Sequence, residues 1–243
     1  MGYEDAYRAL TSTLQQAKEL SGSITGRVAD DATVDGSILF ARMVIQAHSL
    51  KKILPEVDRP VQGVDISSCA SITRNLIETF LVMHYRWLEN VAPNVRKFRD
   101  LLWHYHQRVE AIRGINCQRT AQGEKPYDEA AYTRETKSAL QTDPEFLSFG
   151  DKRRTQLLDN PEPCARGLQK IAVSAGILAA KFDSDYKLLS SLSHPNGYGL
   201  RTMDATTLAD NEWQTWFAQI TWIAQTYLEL AVSGVCEQQM ERK

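Results

Sequence analysis

The run YKLLSSLSHPNGYGL, from Tyr186 to Leu200, gathers the groups in this chain best suited to acid–base work. At helical spacing Tyr186, Ser190 and Ser193 share one face, and His194 borders it. A proline disfavours α geometry in the residue before it, so Pro195 makes His194 the last helical residue. Asn196 and Gly197 then suit a sharp turn. A histidine held at a helix end beside hydroxyls fits a general acid/base or an anion-binding group. It also fits a capping residue that fixes a helix–loop corner.

The second chemical feature is Arg74-Asn-Leu-Ile-Glu78. Residues four apart on a helix are neighbours, but the Arg-first order is the weaker one for supporting an exposed helix. Both charges sit at the edge of an apolar face, where a charge needs a partner. The pair reads either as an ion pair tying helices together or as the cationic half of a site. In the second reading Arg74 stabilises phosphate charge, Glu78 orients Arg74, and His194 moves a proton near Ser190. One expectation follows from both readings: Arg74 or Glu78 lies within side-chain reach of the 186–196 segment.

The elements that must position these groups are helices. Apolar residues recur at spacings of three and four throughout, and strand-like alternation is nearly absent. The spacing predicts a helix at 4–20, a second ending at Leu54 before Pro55, and a long third at 66–90, opened by Asp65 as its cap. The third helix carries Ile66, Ala70, Thr73, Ile77, Phe80 and His84 on one face. Pro93 opens a fourth helix to Arg113. Residues 114–126 read as a loop, shorter helices follow at 127–141, 144–158 and 162–174, and longer ones at 178–194 and 208–239. The expected fold class is all-α: a single-domain multi-helix bundle of about seven to eight helices, with 1–243 as one helical domain.

An Arg-x-x-x-Glu helix followed by a Tyr-x-x-x-Ser-x-x-x-His-Pro-Asn helix end resembles a family of uncharacterised bacterial helical proteins, loosely the HEPN-like bundles of toxin–antitoxin and anti-phage systems. The matching residues are Arg74, Glu78, Tyr186, Ser190, His194, Pro195 and Asn196, which bracket about half the chain. The resemblance implies a defence or toxin-system effector or accessory that binds or cleaves RNA or a nucleotide, as a metal-independent ribonuclease would. The alternative is a non-catalytic protein-interaction module whose polar cluster is structural. Catalytic members carry Arg-x4–6-His. No arginine precedes His194 at that spacing, but Arg99 precedes His104 and His106 at it, which makes Arg99 and His104 further ligand candidates beside Tyr186 and Asn196.

Composition narrows the rest. The chain has 243 residues, 43% hydrophobic and 24% charged, with net charge −2, enough apolar material for a core and little for a strongly nucleic-acid-binding protein. From Arg86 to Arg119, seven basic residues stand against three acidic ones, so that segment is locally basic and faces either phosphates or plain solvent. Trp103 and Tyr105 beside Arg99 and Arg108 suit base stacking or core packing. Cys69, Cys117, Cys164 and Cys236 are scattered and lack a CxxC pair, which argues for reduced cytoplasmic thiols and against a zinc knuckle. His106 and Glu110 have no third ligand in view, so no metal or cofactor is expected. No apolar run reaches the roughly 18–20 residues of a membrane span. On the helix at 208–239, Trp222 falls opposite the apolar face, which makes it a contact for a homodimer or a residue covered by its own chain.

Overall fold

The computed structural model describes residues 2–24, 26, 30–57, 65–194 and 212–240. Among them the chain is all-helical, with ten helices, nine of them seven residues or longer. They are α1 (Tyr3–Ile24), α2 (Asp31–Ile53), α3 (Ile66–Met83), α4 (Pro93–Ala121), α5 (Glu129–Gln141), α6 (Pro144–Leu147), α7 (Asp151–Asp159), α8 (Leu168–Ser174), α9 (Ala179–Ser193) and α10 (Glu212–Met240). That exceeds the seven to eight expected. The stretch 144–158, read as one helix, divides into α6 and α7, and Gly150 caps the second piece with extended backbone. Among the described residues no helix is long and apolar enough to cross a membrane.

The chain forms two compact units, Met1–Leu88 with Leu168–Lys243, and Glu89–Gly167, a division that the reading of 1–243 as a single domain did not draw. In the first, α1, α2, α3 and α10 pack on one another and α9 lies against α3. Its core holds Leu10, Phe40, Met43, Ile77, Phe80, Phe217 and Tyr227. Of the face of α3 read from periodicity, Ile66, Ala70, Thr73, Ile77 and Phe80 are buried as expected, while His84 lies beyond the end of α3 and is half-buried. In the second unit Phe98, Leu102, Tyr105 and Val109 of α4 meet Leu140, Phe146 and Leu157.

Two boundaries differ from the sequence expectation for tertiary reasons. Helix α4 runs to Ala121 rather than Arg113, through the polar stretch read as a loop. Its last turns bind the segment that follows. Asn116 exchanges two hydrogen bonds with the Tyr127 backbone, and the Arg119 guanidinium lies 4.1 Å from the Tyr127 ring centroid and donates to the Lys125 carbonyl. The reversal comes at Gly123, whose φ of +74° is in the left-handed region.

Helix α3, expected to run to residue 90, instead widens after Met83 into a π-helical turn over His84–Leu88. That turn places Tyr85, Arg86 and Trp87 in the interior. The Trp87 ring lies flat on Gly36 of α2: a Cβ there would sit 2.3 Å from Trp87 Cδ2. Glycine inside a helix normally costs about 0.5–1 kcal/mol relative to alanine. At Gly36 the sign reverses, because overpacking costs about 1–3 kcal/mol. Gly36→Ala is expected to lower stability in urea denaturation. Gly114→Ala, in open space on α4, is expected to raise it. A stabilising Gly36→Ala would show that the indole does not hold this position.

Candidate functional site

Helix α3 starts where Asp65 accepts a hydrogen bond from the Ser68 amide at 2.9 Å. Two turns further on, Arg74 and Glu78 stand one turn apart at the rim of its buried face, and Arg74 Nε donates to Glu78 Oε1 at 3.1 Å. Helix α9 brings Tyr186 to them. The Tyr186 hydroxyl donates to Glu78 Oε1 at 2.6 Å and accepts from Arg74 Nη2 at 2.9 Å and Nε at 3.2 Å. The Arg74 guanidinium carbon lies 4.9 Å from the Tyr186 ring centroid. Phe182, one turn earlier, stacks on Tyr186 with ring centroids 5.4 Å apart.

His194 joins from the end of α9. The last helical residue is Ser193, and His194 is extended (φ −101°, ψ 142°). The sequence reading kept His194 in the helix, but the clash with Pro195 expels it by one residue. Its side chain is exposed, and Nε2 lies 3.3 Å from Arg74 Nη1. A guanidinium nitrogen only donates. As a hydrogen bond, this contact has Nε2 accepting from Arg74.

Two serines that sequence reasoning did not single out for this task hold the corner. Ser193 Oγ donates to the Leu189 carbonyl at 2.6 Å, and Ser67 Oγ of α3 donates to the Ser193 carbonyl at 3.4 Å. Ser67 lies 126 positions from that carbonyl in sequence, and nothing in its local context marks it. Ser190, one turn after Tyr186, is half-buried and makes no hydrogen bond to the cluster among the described residues. Asn196 lies outside the described residues.

Electrostatics assign the roles. Burial pulls the Arg74 guanidinium downward, but the hydrogen bond and charge of Tyr186 and then Glu78 outweigh it and raise it above its ordinary value. Burial pushes the Tyr186 phenol up, and its bond to Glu78 adds to that, against the opposing pull of Arg74. Tyr186 therefore stays protonated near neutral pH. It holds Arg74 and Glu78 in place and does not act as a base. The exposed imidazole of His194, the guanidinium of Arg74 and the carboxylate of Glu78, the latter two with side chains 28% and 37% exposed, are the groups that solvent or a ligand meets.

The remaining candidates lie in the other unit. Arg99 is 3% exposed, and its Nη2 is 2.6 Å from Glu89 Oε2, so the structure spends it on an internal ion pair. His104, half-buried, sits five positions further along α4, about 140° around the helix from Arg99. His106 Nδ1 donates to the Pro161 carbonyl at 3.0 Å. Tyr105 is core, with its hydroxyl on the Leu158 carbonyl at 2.7 Å. An open hollow of about 650 Å³ between α4 and α5 is lined by Arg108, Tyr132, Arg134 and Thr142 among others. Of the residues singled out in the sequence it includes Arg108 alone. Among the described residues no three His, Cys, Asp or Glu side chains are grouped to hold a metal. Trp222 on α10 is half-buried, and its indole N–H is shielded from solvent.

The fold and cluster together define an all-α protein with an Arg–Glu–Tyr–His cluster at the meeting of two helices. Compared with protein-family models, curated proteins and solved structures, the chain matches none.

Proposed function

We propose that this protein is a HEPN-like effector or accessory of a defence or toxin system that engages the phosphate of RNA or a nucleotide at Arg74, Glu78, Tyr186 and His194. The observation that carries the reading is the 3.3 Å contact between Arg74 Nη1 and the exposed His194 Nε2. It couples a partly exposed guanidinium to an exposed imidazole. A phosphate that takes the Arg74 N–H releases the His194 lone pair at the moment the substrate arrives. On RNA, His194 then accepts the 2′-hydroxyl proton. The 2′-oxygen bonds to phosphorus, the bond from phosphorus to the 5′-oxygen breaks, and water protonates the leaving oxygen. Arg74 offsets the charge that develops on the phosphate, and Glu78 with Tyr186 keeps the guanidinium in its plane.

Total RNA incubated with wild type and with His194→Ala tests this on a gel. Degradation by wild type is expected to fall about 10²–10⁴-fold in His194→Ala, the range for loss of a general base. The melting temperature is expected to hold, because an exposed substitution usually stays within about 0.5 kcal/mol. Arg74→Lys is expected to weaken binding of labelled RNA or nucleotide.

The second reading, an interaction module whose cluster only locks α3 to α9, is favoured by one feature. Glu78, Tyr186 and Arg74 already satisfy one another. Under that reading wild type neither binds nor degrades RNA or nucleotide, and Tyr186→Phe lowers the melting temperature more than His194→Ala does.

A further inference from the structure

Helix α2 is apolar on two faces. One buries Phe40, Met43, Ala47 and Leu50 in the first unit. The other carries Val34, Ile38 and Ile45, which are 42%, 60% and 65% exposed. At about 100° per residue Val34, Ile38, Ala41, Ile45 and Lys52 fall within about 60° of one another. The positions 31, 34, 38, 41, 45, 48 and 52 alternate spacings of three and four, the seam of a helix that packs along another helix. Branched aliphatic side chains left in water along about 16 Å of helix mark an interaction surface rather than a solvated face.

The charges on the stripe say what covers it. It begins at the exposed Asp31 and ends at the exposed Lys52. Among the described residues neither has an ion-pair partner, and Lys51 instead lies over the Tyr7 ring. A parallel pair of such helices sets Asp31 on Asp31 and Lys52 on Lys52. An antiparallel pair sets Asp31 of one chain beside His48 and Lys52 of the other, and it opposes the two helix dipoles favourably. The same alignment lays Val34 against Ile45 and Ile38 against Ala41, where the small alanine admits the isoleucine.

We infer that α2 is the contact of a two-fold homodimer, in which the Val34–Ile38–Ile45 stripe packs antiparallel on the same stripe of a second copy. Every contact in it occurs twice. It does not involve Trp222, whose ring is half covered by its own chain.

Sedimentation velocity of the full chain between about 1 and 100 μM tests the inference, in a range where a specific contact of this size associates. A dimer is expected. Ile38→Glu, near the centre of the contact, and Ile45→Glu, against Val34 of the other copy, are each expected to raise its Kd at least about a hundredfold, since each change is present twice. Both should leave the melting temperature unchanged, because the side chains are exposed within their own chain. Asp31→Lys and Lys52→Asp are each expected to weaken the dimer, and the double reversal is expected to restore it. A monomer throughout the range overturns the inference, as does a dimer indifferent to Ile45→Glu. A double reversal that regains nothing overturns the antiparallel arrangement.

Discussion

Replacing Glu89 with alanine is expected to cost about 3–5 kcal/mol, the range for removing one partner of a buried ion pair. The carboxylate accepts from Arg99 Nη2 at 2.6 Å and from Arg166 Nη2, while the backbone carbonyl of Glu89 accepts from Arg96 Nη2 at 2.6 Å. Arg99 is almost fully buried, so without the carboxylate a desolvated guanidinium loses the 2.6 Å contact to Glu89 inside the second unit. Acid sensitivity follows from the same contacts. Burial pushes the Glu89 carboxyl up, but the hydrogen bonds and charges of Arg166 and Arg99 outweigh it and hold the group below its ordinary value. A carboxylate depressed in the folded state contributes stability that is present above its unfolded value, near pH 4.3, and lost as pH falls through the lower folded one. Urea denaturation from pH 7 down to pH 3 is expected to show wild type losing more stability than Glu89→Gln, which has no such proton to gain. A Glu89→Ala protein within about 1 kcal/mol of wild type at pH 7 would count against the buried pair.

Asp35→Ala is expected to cost about 3 kcal/mol for a related reason in the first unit. Arg86 has no exposed side-chain surface, and its Nη2 lies 2.8 Å from Asp35 Oδ2. The π-helical turn points Arg86 inward, and Asp35 meets it from the first turns of α2, beside the glycine that receives Trp87. Arg86→Met is expected to behave differently. It removes the charge and keeps most of the volume, and apolar replacement of a buried ion pair is often neutral or stabilising by about 1–4 kcal/mol. Asp35, partly exposed, is left facing water at small cost. Chemical denaturation of the two single variants separates these outcomes. Equal losses in both would mean that Arg86 is needed for its own hydrogen bonds rather than tolerated with its partner.

Much of the candidate site was legible because it depends on local rules. The i, i+4 relation of Arg74 to Glu78, the Asp65 cap, the buried stripe of α3 and the effect of Pro195 on its neighbour are each set within a few residues, where helix geometry and sterics act directly. The need of two half-buried charges for partners also pointed from α3 towards the 186–196 segment. The identity of the partner was not local. Tyr186 and His194 meet Arg74 across 112 and 120 positions, and Ser67 reaches Ser193 across a similar span.

Where the reading went astray, side-chain contacts from neighbouring segments competed with local preference. Arg99 looked like a ligand-binding cation because it precedes His104 and His106 at the Arg-x4–6-His spacing and stands beside Trp103 and Tyr105, whereas in the structure it is buried against Glu89. Residues 114–121 looked like a loop because they are polar, and their contacts with Lys125 and Tyr127 are what keep them helical. The sequence by itself determined that this chain is helical and which faces of α3 and α9 carry polar groups, because periodicity and proline sterics act along the chain. Only the tertiary structure decided which polar groups became a cluster and which became internal ion pairs, because burial and counter-charge come from side chains that only folding brings together, as Asp35 to Arg86 and Tyr186 to Arg74.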